Sequence, residues 1–155
     1  MKVSLRPMGI SDLDKIVRIE LTIYTHPWTR GNFSDSLNSG YSAWVLYDSG
    51  SKEGEIIGYA LMMMVIDEVH LLNISVAKTH QKQGFGKLLL NYMMDKARAY
   101  GAANMFLEVR VSNFAAIRLY EGNGFNEMAT RRAYYPTSSP EKNGREDALL
   151  MGIAL

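Results

Sequence analysis

The segment Gln81-Lys82-Gln83-Gly84-Phe85-Gly86-Lys87 is the first place in this chain where residue types and spacing could do chemistry. Glycines at 84 and 86 let backbone N–H groups turn inward and let a ligand approach with no Cβ in the way. A strand-like stretch, Ile74-Ser75-Val76, precedes the segment, and an amphipathic helical pattern follows it. A helix N-terminus carries about half a positive charge, so strand, turn and helix together suit a phosphate or pyrophosphate. The same two glycines also serve a plain tight connection. Competing phosphate motifs fail on the residues present: a Walker A loop is excluded by Gln81 and by Leu88 after Gly86-Lys87, and a dinucleotide fingerprint by Leu89 where a third Gly or Ala belongs. An ATPase or a dehydrogenase is thereby disfavoured.

Other chemically capable side chains are ambiguous when read singly. In Met105 to Arg110, alternation puts Met105, Leu107 and Val109 on one face and Phe106, Glu108 and Arg110 on the other. Glu108 alone reads as a solvated carboxylate paired along its face with Arg110. Tyr120 alone reads as core, Asn113 as a helix N-cap, Trp28 as core, and Arg131 and Arg132 as solvated strand charges. His26, His70 and His80 have no partner at i, i+3 or i, i+4, so no metal is expected. The chain has no cysteine, which excludes disulfides, thiolate ligands and any route that parks an acyl group on an enzyme thiol.

The elements that must position these groups follow from periodicity. A strand at Val3 to Pro7 leads through Ser11-Asp12 to a helix with apolar positions Leu13, Ile16, Val17, Ile19 and Ile23, ended by His26-Pro27-Trp28. A short helix near Phe33 to Leu37 precedes strands at Ala43 to Tyr47, Ile56 to Ile66 and Glu68 to Val76. From Gly84 to Tyr100, the positions Phe85, Leu88, Leu89, Tyr92, Met93, Lys96 and Ala97 form one stripe, closed by Gly101. Met105 to Val111 is a strand, Asn113 to Glu121 a helix, and Phe125 to Tyr134 and Asp147 to Leu155 are closing strands. The expected class is α+β, in the order βααβββαβαββ. The connection from Val76 to Met105 is long enough for a parallel crossover, so the sheet should be mixed and mostly antiparallel.

No repeat, low-complexity tract or linker divides the chain, so residues 1–155 read as a single domain. At 155 residues such a domain buries roughly 70% of its unfolded surface. A formal net charge of +1 leaves no electrostatic footprint for nucleic acid or an anionic membrane. The N-terminus has no apolar signal region, and the run Ala60 to Ile66 is too short to span a bilayer, so a cytoplasmic protein is expected.

Gln-x-x-Gly-x-Gly between a strand and a helix resembles the acyl-CoA-binding motif of the GNAT superfamily of N-acetyltransferases. The likeness extends through Asn73-Ile74-Ser75-Val76, Leu107-Glu108-Val109-Arg110-x-Ser112-Asn113-x-Ala115-Ala116 and Leu119-Tyr120-Glu121-x-x-Gly124-Phe125. With Arg131-Arg132-x-Tyr134-Tyr135-Pro136 and Gly144-Arg145-Glu146-Asp147-Ala148, the pattern is similar to the RimI-type ribosomal-protein-alanine N-acetyltransferases over nearly the whole chain. The resemblance implies the GNAT fold and acetyl-CoA as co-substrate. It implies that backbone groups of Ile74, Ser75 and Val76 hold the acetyl-pantetheine arm like an added strand, Ser75 standing where the family often has Ala. Gln81, Lys82, Gln83, Gly84, Phe85, Gly86 and Lys87 would bind the pyrophosphate, and Asn113 would be a further acetyl-CoA contact.

For the chemistry, an α-amino group of pKa about 8 must lose a proton before it attacks a thioester. The family's base corresponds to Glu108 and its acid, which protonates the leaving thiolate, to Tyr120. Trp28, Arg110, Tyr134 and Tyr135 fall in acceptor-side segments. The loop Thr137 to Asn143 is longer than usual between Tyr-Tyr-Pro and Gly-Arg-Glu-Asp-Ala. The implied acceptor is the N-terminal alanine of a small-subunit ribosomal protein. Same-fold enzymes acting on lysine side chains or small amines, and a non-catalytic acyl-CoA-binding module, are the alternatives. Oligomeric state is not readable from the chain.

Overall fold

The structure is a computed structural model, and residues 1–137 and 144–155 are described here. Among the described residues, seven strands and four α-helices follow one another as β1 (Val3–Pro7), α1 (Leu13–Ile23), α2 (Arg30–Asn38), β2 (Ser42–Asp48), β3 (Ile56–Val65), β4 (Glu68–Val76), α3 (Phe85–Ala99), β5 (Asn104–Arg110), α4 (Phe114–Gly122), β6 (Asn126–Pro136) and β7 (Arg145–Ala154). This is the expected order, and one sheet takes all seven strands as β1-β2-β3-β4-β5-β7-β6. Only the β4–β5 pair is parallel, bridged by α3 as the crossover.

The sheet separates two apolar layers because its strands alternate. On β3, Ile57, Ala60 and Met62 join the larger core under α3 and α4, while Ile56, Tyr59 and Leu61 join the smaller one under α1 and α2. The α3 ridge is rotated by about one position from the expected stripe. Leu89, Leu90, Met93, Met94 and Ala97 are buried and Leu88 is exposed. Lys96 stays at the margin because its ammonium lies 4.5 Å from the Trp44 ring centre, a placement that keeps the charge wet and the stem packed.

The feature that matters for function is where strand pairing stops. β4 and β5 pair only from Glu68 with Asn104 to Leu71 with Leu107. At that point β4 carries an extra residue, Leu72, since Leu61 faces Asn73 and Met62 faces Leu71. A bulge bends its strand away from the neighbour. Beyond it, β4 stays with β3 and β5 stays with β7, leaving a gap between Asn73–Val76 and Glu108–Arg110. Among the described residues, the apolar cluster beneath α1 and α2 takes none from β5, β6 or β7, so Phe106, Glu108 and Arg110 face away from the larger core.

Candidate active site

The wall of the gap on the β4 side is backbone. Ala77 donates its N–H to the Ile57 carbonyl, and the antiparallel alternation from that point turns the Ser75 backbone groups toward β3 and those of Ile74 and Val76 toward the gap. Of the three residues expected to hold an extended ligand, two therefore offer main-chain groups. Ser75 contributes through its side chain instead: its hydroxyl donates to Asn73 Oδ1 at 2.7 Å and accepts from the Tyr24 hydroxyl at 2.6 Å.

At the foot of this wall is the glycine turn. Gly84 has φ +86° and is the N-cap of α3, and no atom lies within 4 Å of where its Cβ would be. Lys82 also takes a left-handed φ of +62°, an uncommon conformation for a lysine and the kind of strain found at ligand-binding turns. Leu88 donates to the Gly84 carbonyl, so the N–H groups of Phe85, Gly86 and Lys87 are the first-turn donors that a helix cannot satisfy itself. Gln83 and Lys87 are exposed beside them. Gln81 reaches back, its side-chain amide donating to the Val76 carbonyl at 3.0 Å, and so ties the turn to the strand. Turn, open space and unsatisfied donors fit a pyrophosphate.

Across the gap stands Glu108. Its partner is not Arg110, as alternation along β5 leads one to expect, but Arg131 on β6, whose Nη1 donates to both carboxylate oxygens at 2.9 and 3.1 Å. Two residues on one face of a strand are neighbours, yet both long arginines find closer carboxylates on other strands. Arg110 bonds Glu146 at 2.9 Å and the Pro136 carbonyl at 2.6 Å, and its guanidinium lies 4.6 Å from the centre of the Tyr135 ring. Burial pushes the Glu146 carboxyl up, but hydrogen bonds from Arg110 and Ser112 overcome this and hold it below the usual range.

Tyr120 rises from α4 on the other face of the sheet. The residue is 6% exposed and packs on Phe125, with ring centres 5.7 Å apart. Its hydroxyl has no hydrogen-bond partner among the described residues, and none of their buried side-chain oxygens is left unpartnered, so the hydroxyl keeps some exposure. Burial, then the nearby phenols of Tyr24 and Tyr135, push its pKa well above the ordinary tyrosine value. Tyr135 also feels Glu108 and is pushed up to about 12, burial being the main cause. Asn113 is the N-cap of α4, its Oδ1 accepting from the Ala116 N–H at 3.3 Å.

Sequence reading missed Glu20 and Tyr24. Glu20 is 1% exposed and accepts from the Tyr59 hydroxyl, the Asn73 amide and the Trp28 N–H. The signal was present: Glu20 lies at i+4 from Ile16 and i+7 from Leu13, a charge on an apolar face. Tyr24, the C-cap of α1, hydrogen-bonds Ser75 and reaches to 3.4 Å from the Ile74 carbonyl. Burial pushes it up to about 12. Trp28 packs its ring against Phe33 at 5.1 Å. Tyr134 and Tyr135 stand together on β6, their ring centres 4.9 Å apart. Within the long loop noted from the sequence, residues 138–143 lie outside those described.

Comparison with known proteins gives the family and the fold. Residues 13–125 match the acetyltransferase (GNAT) family. The [ribosomal protein bS18]-alanine N-acetyltransferase of Escherichia coli K12 is 38% identical over 145 residues, covering 94% of this chain and 93% of its own. The enzyme of the same description from Haemophilus influenzae is 37% identical, with 93% of each chain covered. The crystal structure of the ribosomal-protein-S18-alanine N-acetyltransferase from Escherichia coli superposes with a TM-score of 0.87 over 99% of this chain and 94% of that one, at 36% identity.

Proposed function

The chain belongs to the acetyltransferase (GNAT) family, and on that premise we propose that it moves acetyl from acetyl-CoA directly to the N-terminal alanine of ribosomal protein bS18. The observation that carries the reaction is the open end of the β4–β5 pairing. It presents the Ile74 and Val76 main chain and the Gly84 turn to one ligand, and Glu108, Tyr134 and Tyr135 to another. The bound thioester lies along β4 with its pyrophosphate on the α3 N-terminus. The acceptor lies on the uncovered face of β5 and β6.

Glu108 takes the proton of the acceptor ammonium, directly or through one water, and the freed amine attacks the thioester carbonyl. The C–S bond of the resulting tetrahedral adduct breaks, Tyr120 donates its proton to the leaving sulfur, and the new amide nitrogen releases its second proton, which restores the Tyr120 phenol. A phenol kept protonated by burial is suited to that donation. The main-chain N–H of Trp28 donates to Glu20 Oε2 and holds the Tyr24 to Trp28 segment beside the acceptor. Asn113 keeps Oδ1 on its helix cap and offers its amide to acetyl-CoA. No helix among the described residues is long and apolar enough to cross a membrane; a cytoplasmic setting is part of this proposal because its acceptor is a ribosomal protein.

The test is thiol release from acetyl-CoA with a short peptide carrying the bS18 N-terminus, compared with the same peptide blocked at its N-terminus and containing lysine. Release with the free N-terminus alone is the expected result. Equal release with both peptides would replace this acceptor by lysine side chains, and binding without release would make the chain a sensor.

A further inference from the structure

β6 contains an irregularity that bears on the acceptor side. Arg131 faces Ala148 and Tyr135 faces Glu146, so Arg132, Ala133 and Tyr134 all stand opposite Asp147. Ala133 has φ +50°, a left-handed conformation that strains an alanine. Consecutive residues of a regular strand point to opposite faces. Here Tyr134 and Tyr135 have rings 4.9 Å apart and nearly perpendicular, which needs such a break in the strand. Each ring is then covered by an arginine: Arg131 lies 4.7 Å from the Tyr134 ring centre, and Arg110 is stacked on Tyr135. Since Arg131 also binds Glu108, the bulge determines where the aromatic pair stands relative to that carboxylate.

Two side chains hold the bulge: Arg145 donates from Nη1 to the Tyr134 carbonyl at 3.3 Å, and Asp147 takes the N–H at its centre. The Ala133 N–H, displaced from the ladder, donates to Asp147 Oδ1 at 2.9 Å. The Asp147 carbonyl meanwhile accepts from Val111 N–H, just beyond β5, at 3.2 Å. Asp147 therefore ties the strained turn of β6 to the end of the strand that carries Glu108.

We infer that Asp147 is a positioning residue for the acceptor peptide, acting through the Ala133 bulge on Tyr134 and Tyr135; this rests on the acceptor lying against those tyrosines. Loss of its carboxylate lets Ala133 relax and separates the rings, weakening acceptor binding while the acetyl-CoA side, built on β4 and α3, is untouched. The experiment uses the full chain with acetyl-CoA and the N-terminal alanine peptide. Asp147→Ala should raise KM for the peptide about tenfold and leave KM for acetyl-CoA within about twofold. Asp147→Asn, which keeps an acceptor oxygen for the Ala133 N–H, should recover most of the loss. Ala133→Gly in the Asp147→Ala background should recover part, because glycine holds a positive φ without strain.

The contact between the Tyr134 and Tyr135 rings, read by NMR, should vanish in Asp147→Ala and return with Asp147→Asn. Unchanged peptide KM, or both KM values rising together with a fall in Tm, overturns the inference. If the wild-type chain releases no thiol with the peptide, the proposed acceptor is wrong. The ring contact then still decides the positioning role, since its persistence in Asp147→Ala overturns it.

Discussion

A carboxylate that is to take a proton from an amine must have an oxygen within reach of it, and in the free protein both oxygens of Glu108 accept from Arg131. The arginine is exposed on β6 and can yield one oxygen to an arriving ammonium without uncovering a buried charge. Replacing Glu108 by Gln keeps the shape and removes the basicity. Measured by thiol release, kcat/KM should fall by roughly 10² to 10⁴ at neutral pH. The deficit should shrink above about pH 8, where the α-amino group loses its proton unaided. Undiminished activity of Glu108→Gln at pH 7 would remove Glu108 from the mechanism. Tyr120→Phe should lower kcat and leave KM for acetyl-CoA nearly unchanged, because the hydroxyl makes no hydrogen bond with another described residue.

Among the elements, β3 and β4 approach each other unusually closely just where β4 must present its edge. A Cβ on Gly58 would sit 2.6 Å from the Ser75 carbonyl oxygen and 3.0 Å from Leu89 Cδ1, so backbone on one side and α3 on the other leave no room for it. Gly58→Ala should destabilise the fold by about 1–3 kcal/mol in urea denaturation and raise KM for acetyl-CoA, since Ser75 and Val76 have to move. Gly86→Ala is the contrast. Its Cβ would meet only Leu119 Cδ2 at 3.4 Å, and stability should stay within about 0.5 kcal/mol. Equal loss of stability in the two variants would mean that the close β3–β4 approach is not the constraint it is taken to be here.

For the whole molecule, the gap is surrounded by phenols that the fold keeps neutral. Tyr24 and Tyr135 are pushed up to about 12 and Tyr59 and Tyr120 higher still, in each case chiefly by burial. In the unfolded chain these groups ionise near pH 10. Below that pH both states carry the protons and the phenols add no pH dependence. Above it the unfolded state loses protons that the folded state retains, so stability falls as pH rises toward the folded values. Thermal unfolding followed from pH 8 upward should therefore show a Tm without tyrosine-linked decline up to about pH 10 and a steep fall between about 10 and 12. A Tm that stays level through that window would mean that these phenols ionise freely in the fold.

What the sequence determined by itself is local: the order of elements, the turn at Gly84, the alternation that puts Glu108 opposite the core, and the family motifs. These are legible because helix and strand periodicity and glycine conformations are properties of neighbouring residues. Partners across the sheet were not legible. Alternation along β5 pairs Glu108 with Arg110, but tertiary structure gives it Arg131, 23 residues away. Glu20, which the sequence reading passed over, gains its role only when Tyr59, Asn73 and the Trp28 main-chain N–H are brought around it. The bulge at Leu72, which opens the gap, and the one at Ala133, which aligns two tyrosines, arise from strand register. Register depends on which strands meet and how they pack, and no short stretch of the chain encodes it.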